Sequence, residues 1–253
     1  MTISPLAVGG VEFSLLDTAG PGRPTLLLHG NRDHKETWAP LMARLPGRHI
    51  AVDLPGHGGT PLPASPDMAD HVRALGTLLD ELDFTGGMVI GHSLGGQLAI
   101  GLAAQRPDLV TDLVIIASAL RHTSSFKPPA AAGNDEMIKH AGPFFFPREG
   151  AIPARRAAIA QEVFTAWSSI PWSRHMELNQ LARIDVPAAA ARVRARTLLL
   201  TGQYDKVCPY DPHGAQIHAA IAGCEHRMVP DAGHFLHLEY PELVAGMIAE
   251  AAP

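Results

Sequence analysis

Met88-Val89-Ile90-Gly91-His92-Ser93-Leu94-Gly95-Gly96 is the stretch on which the reading of this chain turns. Its first three residues form a short apolar run without polar alternation, which suits a strand covered on both faces. Leu94 to Gln105 is small and apolar, as a helix packed against a sheet should be. A serine at so tight a strand-to-helix turn is forced into a strained backbone that lifts its oxygen clear of the sheet. Glycine two positions to either side, Gly91 and Gly95, leaves room for strand and helix to cross, and Gly96 extends the permissive stretch.

The pattern repeats outward in both directions. Thr25 to His29 ends at Gly30, His49 to Asp53 in Leu54-Pro55-Gly56, and Leu113 to Ile116 at Ala117-Ser118. Thr197 to Leu200 ends at Thr201-Gly202, and His226 to Val229 at Pro230. Between these runs, Val72, Leu75, Leu78, Leu79 and Leu82 draw a helical stripe over Met68 to Asp83, and Pro241 to Ala252 opens with proline in a first helical turn. Strand and helix alternating in this way predict an α/β fold with a doubly wound, mostly parallel sheet. From about Leu120 to Ala191 the rhythm breaks. A Pro/Ala/Gly segment (Lys127 to Asn134), three phenylalanines (Phe144 to Phe146) and helix-like stretches around Arg155 to Trp167 and Arg174 to Leu181 follow one another. Residues 1–119 and 192–253 are therefore read as the two parts of one core, and 120–191 as an inserted helical cap. An extra helical layer remote from any site is the plainer alternative.

The bulk properties narrow the class. With 253 residues, 46% hydrophobic and 18% charged, the chain is long enough for one elaborated globular domain. A formal charge of −5 argues against a nucleic-acid partner, which needs a concentrated basic face. The one basic cluster, Arg192, Arg194 and Arg196, reads as the solvated rim of a strand. Two cysteines, Cys208 and Cys224, make no disulfide framework, so a reducing compartment is the default. The opening residues lack a leader pattern, and no apolar run approaches the roughly 18 residues that span a bilayer. A cytoplasmic location away from the membrane is expected.

A serine hydroxyl is a weak nucleophile near neutral pH and needs a base. Among 14 histidines, His234 stands out in Asp231-Ala232-Gly233-His234-Phe235, just beyond the last strand-like run, where open α/β sheets place their sites. The base in turn needs a carboxylate to fix its tautomer. Asp205, after Gly202-Gln203-Tyr204, gives the chain order Ser, Asp, His. The end of the preceding strand-like run, Ala117 to Leu120, carries no acid, and Asp231 is closer to a turn former. Two amides are assigned to a developing oxyanion: that of Leu94 at the start of its helix, and that of Asn31 in the loop His29-Gly30-Asn31-Arg32. The Asn31 side chain is equally suited to substrate contact or to bracing its turn.

Taken in order, His29-Gly30, Asp53-Leu54-Pro55-Gly56-His57-Gly58, Gly91 to Gly96, Gly202-x-x-Asp205 and Gly233-His234 resemble the α/β-hydrolase superfamily. The resemblance implies the α/β-hydrolase fold: eight strands in a mostly parallel, twisted sheet flanked by helices, with a cap inserted after the sixth. It also implies structural roles for His29, His57 and His92. A serine nucleophile sets the chain apart from the dehalogenase and epoxide branches, which use aspartate, and the cap holds no tyrosine. What remains is hydrolysis of a small, hydrophobic carboxylic ester or lactone through an acyl-enzyme. The alternatives are a C–C bond hydrolase, an acyltransferase or cyclase, or a non-hydrolytic small-ligand receptor. Met137, Phe144, Phe145, Phe146, Trp167, Trp172 and Met176 offer apolar walls, or else form the cap's own core. Cys208 reads as a buried small hydrophobe. His234 and His237 have a metal-like spacing with no carboxylate cluster beside them in sequence, so neither metal nor cofactor is implied.

Overall fold

A computed structural model describes residues 2–62, 67–121, 142–146, 153–168 and 186–251. The eight strands are β1 (Thr2–Val8), β2 (Val11–Asp17), β3 (Pro24–Leu28), β4 (Arg48–Val52), β5 (Gly87–His92), β6 (Val110–Ile116), β7 (Arg196–Gly202) and β8 (Glu225–Val229). They form one sheet in the order β1-β2-β4-β3-β5-β6-β7-β8. β1 pairs antiparallel with β2, and β2 with β4; every other pairing is parallel. The chain leaves β3 for β4 on one side, then crosses back to lay β5 on the other. Such a reversal opens a crevice at the carboxyl ends of the two strands concerned.

Successive residues of the parallel strands feed two different cores, which is why those strands read as continuous apolar runs. Leu26, Leu28, Val89, Leu113, Ile115 and Leu199 face one layer, with the helices Met68–Glu81, Leu94–Gln105 and Val186–Ala190. Leu27, Met88, Ile90, Val114, Ile116, Leu198 and Leu200 face the other, closed by Trp38, Leu41, Leu236 and the helix Pro241–Ala251. The helix Leu94–Gln105 is buried continuously from Gly95 to Ala103, so it has no polar face to show. Met68–Glu81 is amphipathic instead, and Asp67 caps it by accepting the Ala69 amide at 2.9 Å.

β1 and β2 lie outside the six runs read as strands. Along β2 the buried residues Val11, Phe13 and Leu15 alternate with less buried neighbours, the period-2 signature of a strand covered on one face. Gly9 and Gly10, both at positive φ (58° and 81°), make the two-residue turn between them. In the segment 120–191, the helix Pro153–Ser168 corresponds to the expected Arg155–Trp167. The expected stretches Lys127 to Asn134 and Arg174 to Leu181 lie outside the described residues.

Backbone crowding, where a Cβ finds no space, gives a direct test. A Cβ on Gly95 would collide with the carbonyl oxygens of Leu28 and His29, and one on Gly202 with that of Gly233. Gly246 lies on the exposed side of a helix with nothing within 4 Å. Urea unfolding should therefore find Gly95→Ala and Gly202→Ala destabilised by more than about 2 kcal/mol or insoluble. Gly246→Ala should be stabilised by about 0.5–1 kcal/mol.

Candidate active site

Ser93 follows β5 at φ 53° and ψ −115°, a left-handed backbone for a residue with a side chain. Such a conformation costs on the order of 1–3 kcal/mol and persists only where surroundings enforce it. Here the enforcement is visible. The Ser93 amide donates to Ile116 O at 2.9 Å, and the Ser93 carbonyl accepts from Gly96 N at 3.0 Å and from Ser118 Oγ at 2.6 Å. Ser118 is fully buried at the end of β6, and a Cβ on Gly96 would come within 2.6 Å of its own Cβ. Ser93 itself is only half-buried.

His234 and Asp205 come together from loops after β8 and β7. His234 Nδ1 lies 2.9 Å from Asp205 Oδ2, and both side chains are shielded from solvent. The other carboxylate oxygen, Oδ1, accepts the amides of Val207 at 2.7 Å and Cys208 at 2.9 Å. A carboxylate has only acceptors to offer, so Nδ1 carries a proton, and in the neutral ring Nε2 has the lone pair. The two loops can approach because Gly202 is pressed against the Gly233 carbonyl, while Tyr204 N donates to Ala232 O at 2.8 Å. On the side of the serine turn, the ring of His92 lies 4.7 Å from that of His234, and His92 Nε2 donates to the His234 carbonyl at 3.1 Å. Asp231 holds a turn at φ 57°.

The loop after β3 closes over the serine turn. A Cβ on Gly30 would stand 3.3 Å from Ser93 Cβ and 2.9 Å from His92 Nδ1. Asn31, next along, has its carboxamide 3.3 Å from His57 Nε2, a turn-bracing contact. Leu94 occupies the first position of its helix, where amide N–H groups lack intrahelical partners. His29 Nδ1 donates to Gly30 O at 2.7 Å, and His29 Nε2 accepts Leu54 N at 3.0 Å. Burial, then His57 beside it, pushes His29 down to about 3. Burial likewise pushes His57 to about 4 and His237 to about 3, and drives His92 well below the usual histidine range.

Several contacts had no signal in the sequence. Glu239, fully buried, accepts the Gly233 amide at 3.1 Å and Arg156 Nε at 2.7 Å, so the helix Pro153–Ser168 is bonded to the His234 loop. Arg156 also donates to Asp231 O. At the far end of that helix, Arg32 of the β3 loop donates to Trp167 O and lies over the Trp167 ring at 5.5 Å. Phe146, Val163, Trp167 and Phe235 form a third apolar cluster. Phe145, packed against it, meets the His234 ring edge to face at 5.3 Å. The cluster is thus shared with Phe235 of the histidine loop. Met137, Trp172 and Met176 lie outside the described residues. Cys208 and Cys224 are free thiols, both buried, and burial holds Cys208 well above the usual thiol range. A carboxylate does accompany His237, though from a distant loop. Asp33, His92 and His237 bring one ligand atom each within 4.8 Å of one another.

This sheet, with a strained serine turn after its fifth strand and a His–Asp pair at the ends of its last two, defines a hydrolase-type α/β architecture. Residues 25–247 match the alpha/beta hydrolase family, and the chain belongs to it. Lipase LipV of Mycobacterium tuberculosis is 42% identical over 99 residues, which is 39% of this chain and 38% of the lipase. The next three relatives are matched over 30% of their own length. A putative 2-succinyl-6-hydroxy-2,4-cyclohexadiene-1-carboxylate synthase of Bacillus subtilis is 26% identical, covering 98% of this chain and 97% of that protein. Among solved structures, the enol-lactonase of Burkholderia xenovorans LB400 superposes with a TM-score of 0.86 at 19% identity, over 98% of this chain and 99% of that one. No helix among the described residues is long and apolar enough to cross a membrane.

The buried imidazoles set an acid limit on stability. His29, His57, His92 and His237 stay neutral when folded, whereas the unfolded chain protonates each below about 6.5. Their folded values are depressed, so stability falls as pH drops from about 6.5 towards 3–4. Asp33, raised to about 6 by burial, opposes this by holding a proton that the unfolded chain releases above about 4. Four protons gained less one lost predicts that unfolding at pH 5 takes up about three from these groups. The slope of unfolding free energy against pH, measured in urea, checks this.

Proposed function

We propose that the protein is a serine hydrolase of small carboxylic esters or lactones, working through an acyl-enzyme. In this reading Ser93 Oγ attacks the substrate carbonyl carbon while its proton passes to His234 Nε2. Asp205 holds the Nδ1 proton and stabilises the imidazolium. The oxygen that becomes negative is received by the amides of Leu94 and Asn31, one from each wall of the crevice. Collapse expels the alcohol with the proton from His234, and water then repeats the sequence to release the acid. The observation that carries the reading is the 2.9 Å contact of Asp205 with His234 Nδ1, which leaves Nε2 as a base in a loop packed against the strained serine turn.

Phe145, edge-on to the His234 ring, favours an apolar acyl or alcohol group. The segment 120–191 is the cap in this reading, and its helix Pro153–Ser168 is joined to the loops of the site by the Arg156–Glu239 pair and by Trp167 against Arg32. Similarity to a lipase supports ester chemistry, although it extends over less than two-fifths of either chain.

A fluorophosphonate probe should label wild-type protein at Ser93 and fail on Ser93→Ala. With a p-nitrophenyl ester series, Ser93→Ala and His234→Ala should lower kcat by several orders of magnitude, and Asp205→Asn by about 10⁴-fold. Near wild-type turnover by Asp205→Asn would remove the acid assignment. A folded wild-type protein that resists the probe would instead favour the ligand-receptor alternative.

A further inference from the structure

Behind the proposed triad, five buried polar atoms lack a hydrogen-bond partner: Asp33 Oδ2, His92 Nδ1, both ring nitrogens of His237, and Trp38 Nε1. Native proteins leave few such atoms, and five left unmet would cost as much as the whole net stability of a domain. They are not scattered. The Trp38 and His237 rings lie 4.6 Å apart, as do those of His92 and His237, and Asp33 brings its carboxylate within 4.8 Å of both imidazoles. Each of the three polar residues also comes from a different segment of the proposed machinery. Asp33 is two residues past Asn31, His92 adjoins Ser93, and His237 is three residues past His234.

The His92 tautomer at this junction follows from its partner. His92 Nε2 faces a carbonyl oxygen, which can only accept, so it carries the proton and Nδ1 presents a lone pair. His237 is neutral, with one N–H and one lone pair. Asp33 Oδ1 already accepts the His34 amide at 2.9 Å, and Oδ2 is the oxygen left without a partner. One water accepting from one His237 nitrogen and donating to Asp33 Oδ2 and His92 Nδ1 would satisfy three of the five atoms. Partners of a tetrahedrally bonded water sit about 4.6 Å apart, from hydrogen bonds of about 2.8 Å. A divalent cation here would oppose the imidazolium that His234 must become.

We propose that Asp33, His92 and His237, bridged by one water, form a positioning unit that locks the oxyanion loop, the serine turn and the histidine loop together. The unit acts on the base through the His92 Nε2–His234 carbonyl bond, and this role rests on the triad reading above. The unit touches no reacting atom. Its effect belongs in kcat, with substrate binding unchanged.

Asp33→Ala and His237→Phe remove the polar groups, whereas Asp33→Asn and His237→Gln keep them. With a p-nitrophenyl ester, the first pair should lower kcat about 10- to 100-fold, the loss expected from a misplaced base, with KM within about threefold. The second pair should recover most of the rate. In proton NMR spectra, the low-field resonance of the His234 Nδ1 proton should shift or broaden in the first pair and remain in the second. That readout needs no turnover, so it decides the inference even if wild-type protein hydrolyses nothing and the functional reading fails. Asp33→Ala and His237→Phe proteins with wild-type kcat and an unchanged resonance would overturn the positioning role. So would a stoichiometric metal found by elemental analysis of the purified protein.

Discussion

Backbone pressed directly on backbone is the constraint from which the rest of this structure follows. Gly91 and Gly95 let the strand entering the serine turn and the helix leaving it cross without a Cβ between them, with Gly95 against the carbonyls of Leu28 and His29. Gly202 does the same between the loops that carry Asp205 and His234. A single methyl at either place would push the segments apart by more than a hydrogen bond tolerates. The strained φ of Ser93 is the local cost of that compactness, and the bonds from Ile116, Gly96 and Ser118 hold it in place.

Around these contacts the interior is polar where a simple core would be apolar. His29, His57 and His92 are buried and neutral, and a neutral imidazole supplies one donor and one acceptor in fixed directions. That makes it a better brace between two backbones than a hydroxyl or an amine. His29 joins the end of β3 to Leu54, and His92 joins the serine turn to the His234 carbonyl. Rigidity of this kind aligns the candidate groups before any ligand arrives.

The helix Pro153–Ser168 is tied at two points to the loops it covers. Near one end, Arg156 pairs with Glu239, whose carboxylate also holds the Gly233 amide; near the other, Trp167 meets Arg32. A buried ion pair adds little net stability against its desolvation, but it admits only one geometry. The Arg156–Glu239 pair therefore fixes the register of this helix over His234, and the aromatic cluster of Phe146, Val163, Trp167 and Phe235 supplies the apolar contact between them.

The sequence by itself was enough for the alternation of strands and helices; it also singled out Ser93, Asp205 and His234 as candidates, of which the fold brings Asp205 and His234 within 2.9 Å. Such features are local: an unbroken apolar run means a strand buried twice, and glycines flanking a serine mean a turn without room. β2 escaped that logic, since a strand covered on one face alternates and carries no unbroken run. Only the tertiary structure could decide that Glu239 meets Arg156 across 83 residues, or that Asp33 faces His237. A lone buried acid or histidine gains its meaning from the partner that supplies its missing proton or lone pair. Which partner that is depends on how distant segments pack, and no spacing along the chain encodes it.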